Sequence, residues 1–232
     1  MPFRETEYAD RAALAAALVE HILADLGAAI AATGEASLVV PGGSTPVAVF
    51  ERLAVTEFPW DEVTVVPCDE RWVPTDHPDS NEGLIRRHLL QGKARAARVL
   101  SLYRPVPRPA DALPDVTRAL AVIRRPFSSV FLGMGEDGHF ASLFPGRAET
   151  GPALDLDSEG LLMVLSEPAK GHPRIGLTLS ALTDCSHVLL AVAGAEKRIV
   201  LKRAIDNIKL DTYPIAALLR QPRTPVDILS GA

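Results

Sequence analysis

Two short stretches place chemically capable residues on glycine-supported turns: GMGEDGH at 133–139 and PGGSTP at 41–46. The first six letters of GMGEDGH fit the G-x-G-x-x-G spacing of a dinucleotide-binding turn, and SSVFL (128–132) before it reads as a buried strand. Such a turn should open a long helix, and an acid at the end of a second strand should follow about 20 residues later. Here HFASLF (139–144) runs into Pro145-Gly146 after barely two turns of helix, and Asp155 and Asp157 lie in a stretch that reads as loop. Glu136 and Asp137 would also bring negative charge to the place of a pyrophosphate. What remains is Asp137 and His139, two residues apart at a strand's carboxyl end. Histidine titrates near neutrality and can take a proton from water, while a carboxylate beside it orients the ring and stabilises its protonated form. Taken alone, the letters DGH favour the plainer reading of a turn-forming Asp and a helix-start His.

In PGGSTP, Gly42 and Gly43 let backbone approach a ligand and Ser44 and Thr45 offer hydroxyls. A helix is expected to follow, capped by Ser44 or Thr45 with Pro46 in its first turn, and its start supplies unpaired N–H groups and a positive dipole end. That combination favours an anion, most simply a phosphate; a plain glycine turn with a helix cap fits the same letters. There is no G-K-[ST], so a nucleoside triphosphate loop is not supported.

The elements that must hold these turns alternate along the chain. An Ala-rich helical stretch (9–32) feeds a short strand (36–40), and a second helix carries 47–54. VTVVPCDE (63–70) reads as the next strand, RWVPTDHPDSNEG as a loop, and SNEGLIRRHLLQ (80–91) as a capped helix. VLSLY (99–103) reads as a strand, RPVPRPADALP (104–114) as a proline-laden connection, and DVTRALAVIRR (115–125) as a helix. SSVFLGMG, LLMVLSE (161–167), RIGLTLSAL (174–182) and HVLLAVAG (187–194) read as strands, and AEKRIVLKRAI (195–205) as an amphipathic helix. Strands separated by helices predict an α/β fold with a largely parallel sheet covered on both faces, whose ligands bind beyond the carboxyl ends of the strands. The loops PGGSTP, CDERW, GMGEDGH and AGAEK fall there.

The 232 residues, 47% hydrophobic and 23% charged, suffice for one large core, so one domain over 1–232 is expected. With a net charge of −5 and no dense run of Lys and Arg, no nucleic-acid surface is expected. The start MPFRETEYAD is charged where a secretory signal needs an apolar core, and no apolar run approaches a membrane span, which predicts a cytoplasmic protein without a membrane partner. Cys68 and Cys185 lack metal or disulfide spacing and read as buried free thiols.

VVPGGSTP (39–46), CDERWVPTDHPDSN (68–81), LGMGEDGHFASLFPG (132–146), PRIGLTLSAL (173–182) and AGAEK (193–197) together resemble the 6-phosphogluconolactonase family, in the family's order and over most of the chain. The resemblance implies a Rossmann-like fold and a hydrolase needing neither metal nor cofactor. Its substrate would be a small phosphosugar lactone, 6-phospho-D-glucono-1,5-lactone, opened to 6-phosphogluconate in the oxidative pentose phosphate pathway. It implies His139 as the base that activates water and Asp137 as its orienter. It implies a phosphate site made by Gly42, Gly43, Ser44 and Thr45 with Arg174 and Lys197. Arg71 and Asp69, in the DER loop, would contact substrate hydroxyls or the carboxyl end, with Asp69 an alternative base; the two could also simply pair with one another.

Two other readings stand beside it. A phosphosugar isomerase or deaminase of the same superfamily carries Asn-Glu after the same His to shuttle protons, where this chain has Leu143-Phe144. A non-catalytic sugar-phosphate binding module would keep the phosphate site without turnover. The chain departs from the family at Phe140, expected to narrow the pocket, at Gly176 in place of the usual Thr, and in the shortened ending TPVDILSGA.

Overall fold

The computed structural model describes residues 3–167, 171–206 and 213–231. Along them run β1 (Phe3–Tyr8), α1 (Arg11–Thr33), β2 (Ala36–Val40), α2 (Val47–Val55), β3 (Val63–Pro67), β4 (Asp69–Arg71), α3 (Asn81–His88), β5 (Arg98–Val99) and α4 (Pro109–Ala121). They continue with β6 (Ser129–Gly133), α5 (Thr150–Ala153), β7 (Leu162–Leu165), β8 (Arg174–Leu177), α6 (Leu179–Leu182), β9 (Val188–Ala193), α7 (Ala195–Asp206), α8 (Ile215–Arg220) and β10 (Val226–Gly231).

Seven strands form one sheet in the order β1-β10-β9-β6-β2-β3-β5, and every pairing in it is parallel. Its central strands are buried on both faces, as the apolar runs require. Along β9, Val188, Leu190 and Val192 enter one core, while Leu189, Ala191 and Ala193 enter the other. The helices α1, α2 and α3 cover one face; α4, α6, α7, α8 and a second, smaller sheet cover the other. The chain steps outward from β2 to β3 and β5, then returns to β6 on the other side of β2. The β2/β6 crevice is therefore the topological switch point, where open α/β sheets hold their ligands.

LLMVLSE and the front of RIGLTLSAL are strands, but β7 pairs antiparallel with β8 and β8 antiparallel with β4, making the small sheet β4-β8-β7, and the back of RIGLTLSAL is α6. The chain between β7 and β8 is too short for a crossover helix, so it must reverse. The first and last stretches, to which the sequence reading assigned no element, are strands: β1 is a polar edge strand and β10 fills the gap between it and β9. Of the strand expected at 99–103, only Val99 falls in a described strand, β5, which pairs with β3. Helix α4 begins inside the expected proline-laden connection, because Pro109 at its first turn forfeits no hydrogen bond. HFASLF forms no helix; Phe140 and Leu143 bridge across a tight turn instead.

Two further expectations are corrected. Ser44 and Thr45 do not cap α2: Pro46 occupies the cap with helical φ and ψ, and no side chain bonds the helix start. Helix α1 is long and apolar enough to cross a membrane by length and composition, a property its many alanines conceal from a reading based on bulky residues. In this fold Leu14, Ala15, Leu18, Ile22 and Leu26 form the stripe that α1 lays on the sheet.

Candidate active site

The loops that leave β2, β3, β6 and β9 meet in a cleft of about 280 Å³ at the carboxyl edge of the large sheet. Gly42, Gly43, Ser44, Thr45, Asp69, Arg71, His139, Arg174 and Lys197 all line it. Asp137, the remaining expected residue, stands behind His139 and pairs with its Nδ1. A larger groove, about 920 Å³, opens at the opposite edge, beside Ser37, Thr64 and Arg98 at the strand starts, and holds none of the expected residues.

The turn after β6 is shaped to aim the histidine. Gly135 N–H donates to the His139 carbonyl at 2.8 Å, and a Cβ on Gly135 would lie 2.2 Å from the imidazole, so only glycine lets the ring fold back this closely. Asp137 Oδ1 also accepts the His139 backbone N–H at 3.2 Å. With Nδ1 held by the carboxylate, Nε2 is the ring nitrogen left to accept a proton. Phe144 stacks on the imidazole, centroids 4.3 Å apart and planes 28° from parallel.

Asp69, expected as a possible second base, is buried and fully engaged. Its Oδ2 receives Arg174 Nη1 at 3.0 Å and Ser142 Oγ at 2.6 Å, and its Oδ1 receives Asn81 Nδ2 at 3.2 Å and Cys68 Sγ at 3.4 Å. Burial alone pushes this carboxyl up, yet Arg174, the Ser142 hydroxyl, Arg71 and Cys68 together hold it below the usual carboxylate range. A carboxylate so stabilised in its charged form is a poor proton acceptor. The alternative that Asp69 pairs directly with Arg71 is not what the structure has; Arg71 instead donates to the Asp79 carbonyl at 2.5 Å.

Arg71 and Arg174 stand opposite each other in the β4–β8 register, and both reach the cleft. Like charges directly across a strand pair repel, so this arrangement favours an anion between or beside them. The Nε atoms of both arginines and Asn81 Oδ1 are buried without a hydrogen-bond partner among the described residues, a surplus that a polar ligand would satisfy. Lys197, at the start of α7, completes the cationic lining; burial pulls its pKa below the ordinary lysine value, Glu136 pushes it back up, and Arg11 adds to the fall.

Three contributors were not singled out from the sequence although the matching motifs contain them: Asn81, Ser142 and Glu70. Glu70 is buried and accepts the N–H groups of Asn81 and Glu82, each at 2.7 Å, and the Ser80 hydroxyl at 3.0 Å, which fixes the start of α3. That anchors Asn81 against Gly42, where an added Cβ would meet Asn81 Oδ1 at 1.9 Å. Ala141, with φ 47, is a non-glycine residue in the left-handed region, and its turn carries Ser142 onto Asp69. Phe140, expected to narrow the pocket, points into the core and is fully buried, because the turn at 140–143 sends it away from the cleft. Cys68 and Cys185 are buried free thiols, as expected; burial pushes Cys68 well up and Cys185 up to about 12.

Residues 9–226 match the family described as Glucosamine-6-phosphate isomerases/6-phosphogluconolactonase. The chain belongs to this family. It is 41% identical over 216 residues to a 6-phosphogluconolactonase of Pseudomonas putida, covering 93% of this chain and 89% of that one. To a 6-phosphogluconolactonase of Caulobacter vibrioides it is 38% identical over 230 residues, 98% of this chain and 97% of the relative. The crystal structure of a 6-phosphogluconolactonase from Shewanella baltica superposes with a TM-score of 0.94 at 36% identity, covering 98% of this chain and 97% of that one.

Proposed function

We propose that this chain hydrolyses 6-phospho-D-glucono-1,5-lactone to 6-phospho-D-gluconate, a reaction of the oxidative pentose phosphate pathway. The observation that carries the reading is one cleft holding both a carboxylate-oriented histidine and a cationic, glycine-lined anion pocket. His139 Nε2 takes a proton from water as the oxygen attacks the lactone carbonyl. As the tetrahedral intermediate collapses, the imidazolium returns that proton to the departing ring oxygen, which becomes the sugar hydroxyl. Asp137 holds the ring's tautomer and stabilises the transient imidazolium. The phosphate sits on the PGGSTP backbone and hydroxyls with Lys197 as a point charge, while Arg71 and Arg174 offer forked donors to the phosphate or to the developing carboxylate. Asp69 organises Arg174 rather than moving protons.

Within the family, the isomerase reading needs a proton-carrying side chain beyond the histidine. Leu143 is fully buried and Phe144 lies flat on His139, so neither can serve. The test is hydrolysis of freshly prepared lactone, with chelator present and the spontaneous rate subtracted, for wild type and His139→Ala. Acceleration lost only in the variant supports the assignment. A folded wild type without acceleration would point to a sugar-phosphate binding module.

A further inference from the structure

Next to the segments that carry Arg71 and Arg174, His77, Asp79 and His172 bring three metal-ligating side chains together, their donor atoms all within 4.8 Å of one another. His172 Nε2 lies 3.0 Å from Asp79 Oδ2, and His77 Nδ1 lies 4.0 Å from the same oxygen. The two imidazoles meet edge to face, centroids 5.3 Å apart. They come from separate segments, His77 from the loop between β4 and α3 and His172 from the approach to β8. All three side chains are partly or well exposed, so the cluster is not explained by core packing.

We propose that His77, Asp79 and His172 form a binding site for a divalent ion of the zinc type. Two imidazole nitrogens and one carboxylate oxygen make a borderline donor set, which suits Zn2+ and its late first-row neighbours; Mg2+ and Ca2+ prefer oxygen alone. Zinc bonds of 2.0–2.2 Å in a tetrahedron set donors about 3.3 Å apart. The 3.0 Å pair must open slightly and the 4.0 Å pair close slightly, movements within reach of side-chain rotation on an exposed loop. Water fills the remaining position. Binding exchanges two hydrogen bonds for metal bonds: the His172–Asp79 contact, and the one the Asp79 amide donates to His77 Nδ1 at 3.1 Å. The freed amide is at the surface and turns to water.

The placement gives the ion something to do. The Asp79 carbonyl holds Arg71, and His172 precedes Arg174 by two residues. An ion here ties together the two segments that present the cleft's facing arginines, without entering the proton-transfer step. Its role is that of a clamp on the anion pocket.

The test uses tag-free protein, stripped with chelator and desalted, titrated with Zn2+ by calorimetry and with Co2+ by visible absorption. The expected result is one equivalent bound, weakened more than about tenfold in His77→Ala or His172→Ala and unchanged in His88→Ala. Saturating Zn2+ should also raise the Tm of wild type but not of the His77→Ala/His172→Ala double variant. Circular dichroism confirms folding; Asp79→Asn, nearly isosteric, replaces the double variant if that one fails to fold. A wild type that takes up no ion, or folded variants that bind as tightly as wild type, would overturn the proposal.

Discussion

Asp69 and Arg174, 105 residues apart in sequence, form a buried ion pair with 3.0 Å between Oδ2 and Nη1 on adjacent strands of the small sheet. Neither residue lies on the large sheet that dominates the fold. The pair is therefore what fastens the small sheet's cation over the switch-point crevice, and it sets the first prediction.

Asp69→Asn keeps the shape but leaves Arg174 buried without a counter-charge, so it should destabilise the protein by about 3–5 kcal/mol at neutral pH in urea unfolding. The folded carboxyl titrates below its ordinary value of 3.8. Its contribution is thus fully present above that value and is lost as pH falls through the folded one. The gap between wild type and variant should close in acid. A gap that holds constant through that range would show that the charge is not what stabilises the site.

Asp137→Asn retains an oxygen near His139 Nδ1 but removes the charge that stabilises the imidazolium. Turnover should drop by about 10²-fold, with KM little changed, because the carboxylate acts on the transition state and not on the bound phosphate. Steady-state kinetics on the lactone separate the two parameters. A variant with raised KM and intact kcat would move Asp137 from the base to the binding site.

Much of this arrangement was legible in the letters. Strand-ending glycines and hydroxyls marked the loops, and the strand–helix alternation placed those loops on one edge, so the residues of PGGSTP, DER, DGH and AGAEK could be expected together. Residues whose meaning depends on a distant partner were not legible. Ser142 reads as an ordinary serine of a short HFASLF helix until Asp69, 73 positions away, meets it at 2.6 Å. Glu70 sits in a motif whose charged letters suggest substrate contacts, yet it serves the backbone of α3. The edge strand β1 carries FRETEY, polar on both sides, and has no periodicity to betray it.

In the proposed mechanism Lys197 faces the remote phosphate in ground and transition states alike, and Lys197→Ala removes that charge. KM should rise about tenfold or more while kcat stays within about twofold. Burial lowers the Lys197 pKa from 10.5, and the cation is lost as pH rises through that lowered value. In wild type, KM should therefore begin to climb at a lower alkaline pH than an ordinary lysine would give, and Lys197→Ala should lack that limb. An equal loss of kcat in the variant would contradict the separation of binding from proton transfer.

Phe144 joins the two halves of the site, stacking on His139 at 4.3 Å while the Arg174 guanidinium lies 5.1 Å from its ring centroid. Phe144→Leu preserves an apolar side chain of nearly the same burial but removes the flat face that both neighbours use. The cation–π contact is worth about 1–2 kcal/mol when desolvated, and the stack about 1 kcal/mol. Losing both should loosen the imidazole and the arginine together, so kcat should fall and KM rise, for a combined loss in kcat/KM of about tenfold or more. Phe144→Tyr keeps the face and should retain most of the activity. Matched losses in the Leu and Tyr variants would mean that the residue acts through volume alone; activity preserved in the Leu variant would mean that His139 is positioned by Asp137 without help from the ring.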